Sequence, residues 1–195
     1  MQILYGGGYE SRKENGQLRK KVKGTFGKTD SFEKLSGVPW GKIYKSELFS
    51  RVSFPENYWY EDSIMRQMIY PYASEIYGVE EAVYCWRINP QGITSSGVKK
   101  RKCIDSLWIT MQLYKDRQTL GIENDQAYYE YILRMARLTY LRTCYMPDDI
   151  KQAVFIVFSD FIGREFQGFR TQRYPDLEFA LLNKKYRMYA KYCEK

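Results

Sequence analysis

The chain has 195 residues, a formal net charge of +8 from 31 Lys and Arg against 23 Asp and Glu, four Cys and no His. Without imidazole there is no Ser-His-Asp or Cys-His nucleophile, no His-based zinc helix and no histidine pH switch, so proton transfer falls to Asp, Glu, Lys, Tyr or Cys. With 44% hydrophobic and 28% charged residues the composition is that of a folded globular chain of one large or two small domains.

In chain order, Ile3 to Tyr5 predicts a short strand ending at Gly6-Gly7-Gly8, a triplet that lacks the Gly-Lys-Ser/Thr ending of a phosphate loop. Residues 10 to 36 are polar and predict a long loop. Ser46 to Ser50 predicts a short helical stretch, Arg51 to Phe54 a β-prone run, and Pro55-Glu56-Asn57 a turn. Asp62 or Ser63 can cap a helix with Ile64, Met65, Met68, Ile69 and Tyr72 on one face, kinked or ended early by Pro71. Two short strands, Glu75 to Val79 and Ala82 to Trp86, and a loop from Ile88 to Gly97 follow.

From Lys99 the periodicity turns helical. Ile104, Leu107, Trp108, Met111 and Tyr114 mark a first helix stopped by Gly121; Asn124 or Asp125 opens a second through Tyr128, Tyr131, Ile132, Met135 and Leu138. Pro147 with Asp148-Asp149 opens a third, and Pro175-Asp176 a fourth through Leu177, Leu181 and Met188. The expected fold is mixed α/β over residues 1–98 followed by a bundle of about four helices over 99–195.

Charge is unevenly placed. Residues 1–50 carry 10 basic and 5 acidic side chains, 51–98 carry 3 and 6, and 99–195 carry 18 and 12. An acidic centre between basic flanks points to chemistry in the centre, with Arg19-Lys20-Lys21-Val22-Lys23 and Lys99-Lys100-Arg101-Lys102 as solvated charge or as contacts to an anionic surface. Cys85, Cys103, Cys144 and Cys193 lack the close spacing of a zinc or redox site and read as free buried thiols. The first residues lack a signal-peptide core, and the longest apolar run is Ala153 to Phe158, so a cytoplasmic chain that does not cross a bilayer is expected. Residues 150 to 170, with Arg164, Arg170 and Arg173, suit either core packing or peripheral contact with the inner face of a membrane.

The sharpest local feature is the acid pair Glu61-Asp62 inside an aromatic run. It lies between Pro39-Trp40-Gly41-Lys42-Ile43-Tyr44 with Phe54-Pro55-Glu56 upstream, and Tyr84-Cys85-Trp86-Arg87-Ile88-Asn89 with Gly92-Ile93-Thr94-Ser95 downstream. This ordered series over residues 38–96 resembles the C-terminal part of the catalytic domain of family 2 glycosyltransferases of the GT-A fold, especially bacterial enzymes of surface polysaccharide synthesis. The resemblance implies an inverting transfer of sugar from a nucleotide-sugar to a saccharide or lipid-linked acceptor. It also implies Asp62 as the base that takes the acceptor proton, with Glu61 orienting that base or binding an acceptor hydroxyl.

Trp40 would stack on a pyranose ring, Lys42 and Arg87 would contact phosphate or hydroxyls, and Thr94 and Ser95 would close over a diphosphate. The family's Asp-x-Asp segment, which holds Mn or Mg and the nucleotide-sugar, is not found in these residues, so no metal or cofactor is expected in this chain and by itself it should transfer sugar poorly. Self-association, possible for a chain with a cut surface, is a further expectation. The alternative is a non-catalytic, basic, aromatic-rich module for a polyanionic glycan or, less expected from the charge distribution, nucleic acid.

Overall fold

The computed structural model describes residues 2–14, 17–23, 27–29, 35–87, 92–93 and 100–195, with backbone alone at 7–14, 17–23, 27–29, 80–82 and 85–87. They are a small mixed sheet with its covering helical segment, then a helical C-terminal region. Two units result: Met1–Asn57 with Glu61–Gly92, and Tyr58–Tyr60 with Ile93–Lys195.

In the first unit, β1 (Ile3–Glu14) is the centre of the sheet. Antiparallel β2 (Gln17–Lys23) pairs its far end, antiparallel β4 (Lys42–Tyr44) pairs Ile3 to Tyr5, and β5 (Ile76–Arg87) runs parallel along the other side. The short β3 (Gly27–Thr29) pairs β5 antiparallel. Alternation sets the buried face: Ile3 and Tyr5 are buried on β1, and Ile76 opposite Ile3 is buried while Tyr77 is 45% exposed.

Two expectations fail here. The glycine triplet does not end β1, and the segment expected to be loop contributes the end of β1, β2 and β3. Glycines carry the strand through because the β1–β5 register shifts on both sides of Gly7, skipping Glu80, Glu81 and Val83, and residues without Cβ accommodate that irregularity. The same irregularity splits the pattern of β5, which reads as two strands and is one. Arg51 to Phe54 forms no strand, whereas the expected helical stretch is a 3-10 helix over Ser46–Phe49 and Asn57 turns the chain at φ 64°.

The helix after Glu61-Asp62 winds as a π-helix over Met65–Ile69 and finishes in one α-turn, Tyr70–Tyr72, which carries Pro71. Ile64 and Tyr70 flank the π segment, and the Tyr70 N–H bonds back to the Met65 carbonyl. This wider winding shifts the buried face from the expected period: Tyr70 is fully buried beside Ile64, Met65, Met68 and Ile69, and Tyr72 is exposed.

Among the described residues from Arg101 onward the second unit has a 3-10 turn at Arg101–Ile104 and then five α-helices, α1 (Asp105–Thr119), α2 (Gln126–Arg142), α3 (Asp148–Glu165), α4 (Pro175–Leu182) and α5 (Tyr186–Cys193). Asp125 caps α2 by accepting the Tyr128 N–H at 2.7 Å, and Gly121 turns the chain after α1 at φ 71°. The expected fourth helix is two, because Lys184 adopts φ 53° and the Lys185 N–H bonds back to the Ala180 carbonyl; Met188 is exposed on the second. Trp108 is also exposed, so the apolar face of α1 is carried by Leu107, Ile109, Leu113 and Tyr114.

Much of the tyrosine excess is explained by this core. Phe166 is ringed by Tyr114, Tyr128, Tyr129, Phe161 and Phe169. Four phenols donate to carboxylates: Tyr114 to Glu165, Tyr129 to Glu178, Tyr140 to Glu194 and Tyr186 to Asp148, at 2.5–2.8 Å. Each lets an aromatic ring enter the core while its hydroxyl is satisfied. In α3, Val154, Phe155, Phe158, Phe161 and Ile162 are buried, while Ile150, Ile156 and Val157 are exposed. Cys103 and Cys193 are buried free thiols, but Cys144 is exposed. No helix among the described residues is long and apolar enough to cross a membrane.

Candidate functional site

The loop from Leu35 to Gly41 makes few ladder bonds of its own, so its carbonyls need other partners. Side chains supply them. Arg66 donates to the Leu35 carbonyl, the Tyr70 hydroxyl to that of Ser36 at 2.7 Å, and the Tyr44 hydroxyl to that of Pro39 at 3.0 Å. The Lys42 ammonium reaches Val38 O at 2.7 Å, Ser36 Oγ at 3.1 Å and Trp40 O at 3.3 Å. β4 and the π-helical segment thus fix this loop from two sides, through side chains that alternate on β4 (Lys42, Tyr44) or lie four apart on the helix (Arg66, Tyr70).

The fixed loop presents Trp40, 36% exposed, whose indole stacks on the Tyr84 ring of β5 at 4.5 Å and 20° between planes. Gly41 is required there on two counts. Its φ is +72°, and a Cβ would press on the Tyr84 side chain at 3.4 Å.

Burial, and secondarily the neighbouring Arg66 cation, hold the Lys42 ammonium down at about 8, while burial pushes the Tyr44 phenol up to about 12. Burial also raises the Tyr70 phenol above its ordinary value, with the nearby Tyr44 and Asp62 adding to the rise and Arg66 opposing it. Unfolded Lys and Tyr titrate near about 10.4 and about 10. From about pH 8 to about pH 10 the unfolded Lys42 therefore holds the extra proton and stability rises with pH; above about pH 10 the unfolded Tyr44 loses its proton first and stability falls. The expected result is a urea midpoint that rises over the first interval in the wild type relative to Lys42→Met. A pH-independent difference between the two proteins would show that Lys42 is not held as described.

The residues expected from sequence are placed as follows. Asp62 is half-buried at the turn that opens the π-helical segment, its carbonyl accepting the Met65 N–H at 3.0 Å, and Glu61 is exposed. Asp62 is near enough to Tyr70 for its charge to add to the rise of that phenol, and the Tyr70 hydroxyl bonds to Ser36 O of the loop that carries Trp40. Lys42 lies in the same cluster, but its hydrogen bonds go to the loop, so it positions Trp40. Arg87 ends β5 opposite Ser11, and its side chain lies outside the described part of the structure. Thr94 and Ser95 lie outside the described residues, as does most of the expected Ile88–Gly97 loop.

Arg66, Tyr70 and Tyr84 were missed as site residues. Tyr84 stood in a quoted motif, and Arg66 follows Asp62 at helical spacing, but only the fold shows the loop they hold. Among the described residues no group of three or more Cys, Asp and Glu could hold a metal ion.

The second unit places Tyr58–Tyr60 on its helices. The Trp59 N–H donates to Asp105 Oδ2 at 2.9 Å, and the Arg142 guanidinium lies 3.7 Å over the Tyr60 ring while donating to Ser106 Oγ at 2.8 Å. Compared with protein-family models, curated proteins and solved structures, the chain matches none.

Proposed function

We propose that this chain is the acceptor-side part of an inverting glycosyltransferase of the GT-A kind, acting on a saccharide or lipid-linked acceptor. Asp62 takes the proton from the attacking hydroxyl as the sugar passes through an oxocarbenium-like state, and the exposed Glu61 carboxylate binds a neighbouring hydroxyl. Trp40 stacks on a sugar ring. In this reading the nucleotide-sugar and its divalent cation are held by residues outside this chain, since no Asp-x-Asp occurs here.

One arrangement carries the reading. The half-buried Asp62 carboxylate is near Tyr70, whose hydroxyl bonds to Ser36 O of the loop that carries the exposed Trp40 indole stacked on Tyr84. Reacting groups held in fixed relation are what a positioned transfer needs.

The test is a titration of the full chain with neutral oligosaccharides followed by NMR. Trp40→Ala is expected to weaken binding about tenfold, equivalent to about 1.4 kcal/mol, while the loop stays anchored by Lys42, Tyr44 and Tyr70. Equal affinity in the variant, or no saccharide binding by the wild type, rejects the role of Trp40 and the reading with it.

A further inference from the structure

Helix α3 turns part of its apolar content outward. Ile156 is 53%, Ile150 39% and Val157 38% exposed, on the side of the helix away from the buried Phe155, Phe158 and Ile162. Asp149, Ala153, Asp160, Gly163 and Arg164 are exposed with them. Along α3, Asp149, Ala153, Ile156, Asp160 and Gly163 follow one another at alternating steps of four and three, the spacing of a helix-pairing seam. Ile150, Val157 and Arg164 form the adjoining column at steps of seven. The outward face therefore begins with an acid, is apolar in its middle and ends in a glycine and an arginine.

The end charges suit the dipole of the helix itself, acid first and base last. The apolar middle has no such explanation. Nor does packing within the chain call for Gly163, since a Cβ built there meets no atom within 4 Å, and glycine weakens a helix relative to alanine.

This face is complementary to itself. Against a second copy running antiparallel, with the two-fold axis between Ile156 and Val157, Asp149 of each chain comes opposite Arg164 of the other. Ile150 then meets Gly163, which leaves room for it, and Ile156 meets Val157 at the axis. Arg164 gives its Nε–H to Glu165 at 2.6 Å but stays 70% exposed, so its terminal amino groups remain for Asp149. Asp160, opposite Ala153, is already paired with Lys184 of its own chain at 2.7 Å and brings no lone carboxylate to the seam. An anionic membrane matches less well, because Asp149 and Asp160 on the same face repel its headgroups.

We propose that α3 is a homodimer interface, in which two copies of this chain pair their α3 helices antiparallel about a two-fold axis at Ile156 and Val157. The proposal stands apart from the transfer reading and uses none of its residues.

Sedimentation velocity of the full chain from about 1 to about 500 μM reads the association. An 18-residue helix gives a contact about 27 Å long, a small interface, so weak reversible dimerisation with Kd on the order of 10–100 μM is expected. Ile156→Glu places two carboxylates at the axis and should weaken dimerisation at least about tenfold. Met188→Glu, on the exposed side of α5, should change it less than about twofold. Asp149→Lys and Arg164→Glu each set like charges against each other at both ends and should each weaken self-association about tenfold. Mixed in equal amounts, those two variants should pair within about threefold of the wild-type affinity, because both ends regain opposite charges. Circular dichroism unchanged from wild type establishes that the variants fold, and Ile156→Ser replaces Ile156→Glu if helix content falls.

A wild type that stays monomeric at about 500 μM overturns the proposal, as does an Ile156 variant that dimerises as the wild type does. Absence of recovery on mixing the two charge variants overturns the antiparallel pairing. Binding of the monomer to phosphatidylglycerol vesicles, lost in Ile156→Glu, would overturn the dimer in favour of a membrane surface.

Discussion

Asp62→Asn is expected to lower kcat by about a hundred- to ten-thousandfold in a preparation that transfers sugar through this chain, with KM changed by less than about threefold. The substitution keeps the volume and leaves an oxygen that accepts hydrogen bonds, so the turn at 61–64 and the π-helical segment should persist. What it removes is the ability to take a proton at neutral pH. An interaction realised only as the proton leaves the acceptor affects kcat and kcat/KM together and leaves ground-state binding almost untouched. Glu61→Gln provides the contrast. Glu61 is exposed, and an amide can still bond to an acceptor hydroxyl, so the loss there should be about tenfold at most and should appear largely in KM. Steady-state kinetics on the two variants, with circular dichroism to confirm folding, decide the matter. Near wild-type turnover in Asp62→Asn would mean that the base is another group.

Tyr189→Ala should destabilise the helical unit by about 4 kcal/mol, the range for truncating a large ring inside a packed core. Tyr189 is fully buried, with its ring against Phe155 at 5.0 Å and edge-on to Tyr140 at 5.4 Å, and its hydroxyl donates to the Ala136 carbonyl at 2.6 Å. It is also, with Cys193, one of two buried residues on α5. A helix of eight residues does not hold together alone, so α5 depends on this docking. Tyr189→Phe should cost only about 1 kcal/mol because the ring remains and one hydrogen bond is lost. Urea unfolding of the three proteins reads the stability difference, and hydrogen exchange at residues 186–193 reads local release of α5. A destabilisation below about 1 kcal/mol in the alanine variant would show that Tyr189 is not the anchor.

These two substitutions also mark the difference between the halves of the chain. The helical unit is built on local signals: the Asp125 cap, the Pro147-Asp148-Asp149 and Pro175-Asp176 openings and the stop at Gly121 were all readable, because caps and 3.6-residue periodicity depend on neighbours a turn away. The break between α4 and α5 was not readable. It depends on one left-handed residue, Lys184, that has no glycine signature, and its side chain meets Asp160 of α3 at 2.7 Å.

In the sheet unit the reverse holds. The strand register through Gly6-Gly7-Gly8 and the hairpin of β1 with β2 depend on pairing between distant segments, and a polar, lysine-rich stretch carries no apolar alternation to announce it. The π winding at Met65–Ile69 likewise follows from what it buries rather than from its own period, and that moved Tyr70 into the cluster at the loop.

By itself the sequence determined the exclusion of histidine chemistry, the helical character of the second half and the candidates Glu61, Asp62 and Trp40. Each is a matter of composition, local spacing or an ordered motif. Only the tertiary structure decided that Lys42, Tyr44, Arg66 and Tyr70 converge on the carbonyls of residues 35–40 and that Trp40 rests on Tyr84. Those facts depend on which distant segments pair and how a helix winds against them, and a linear pattern does not encode either.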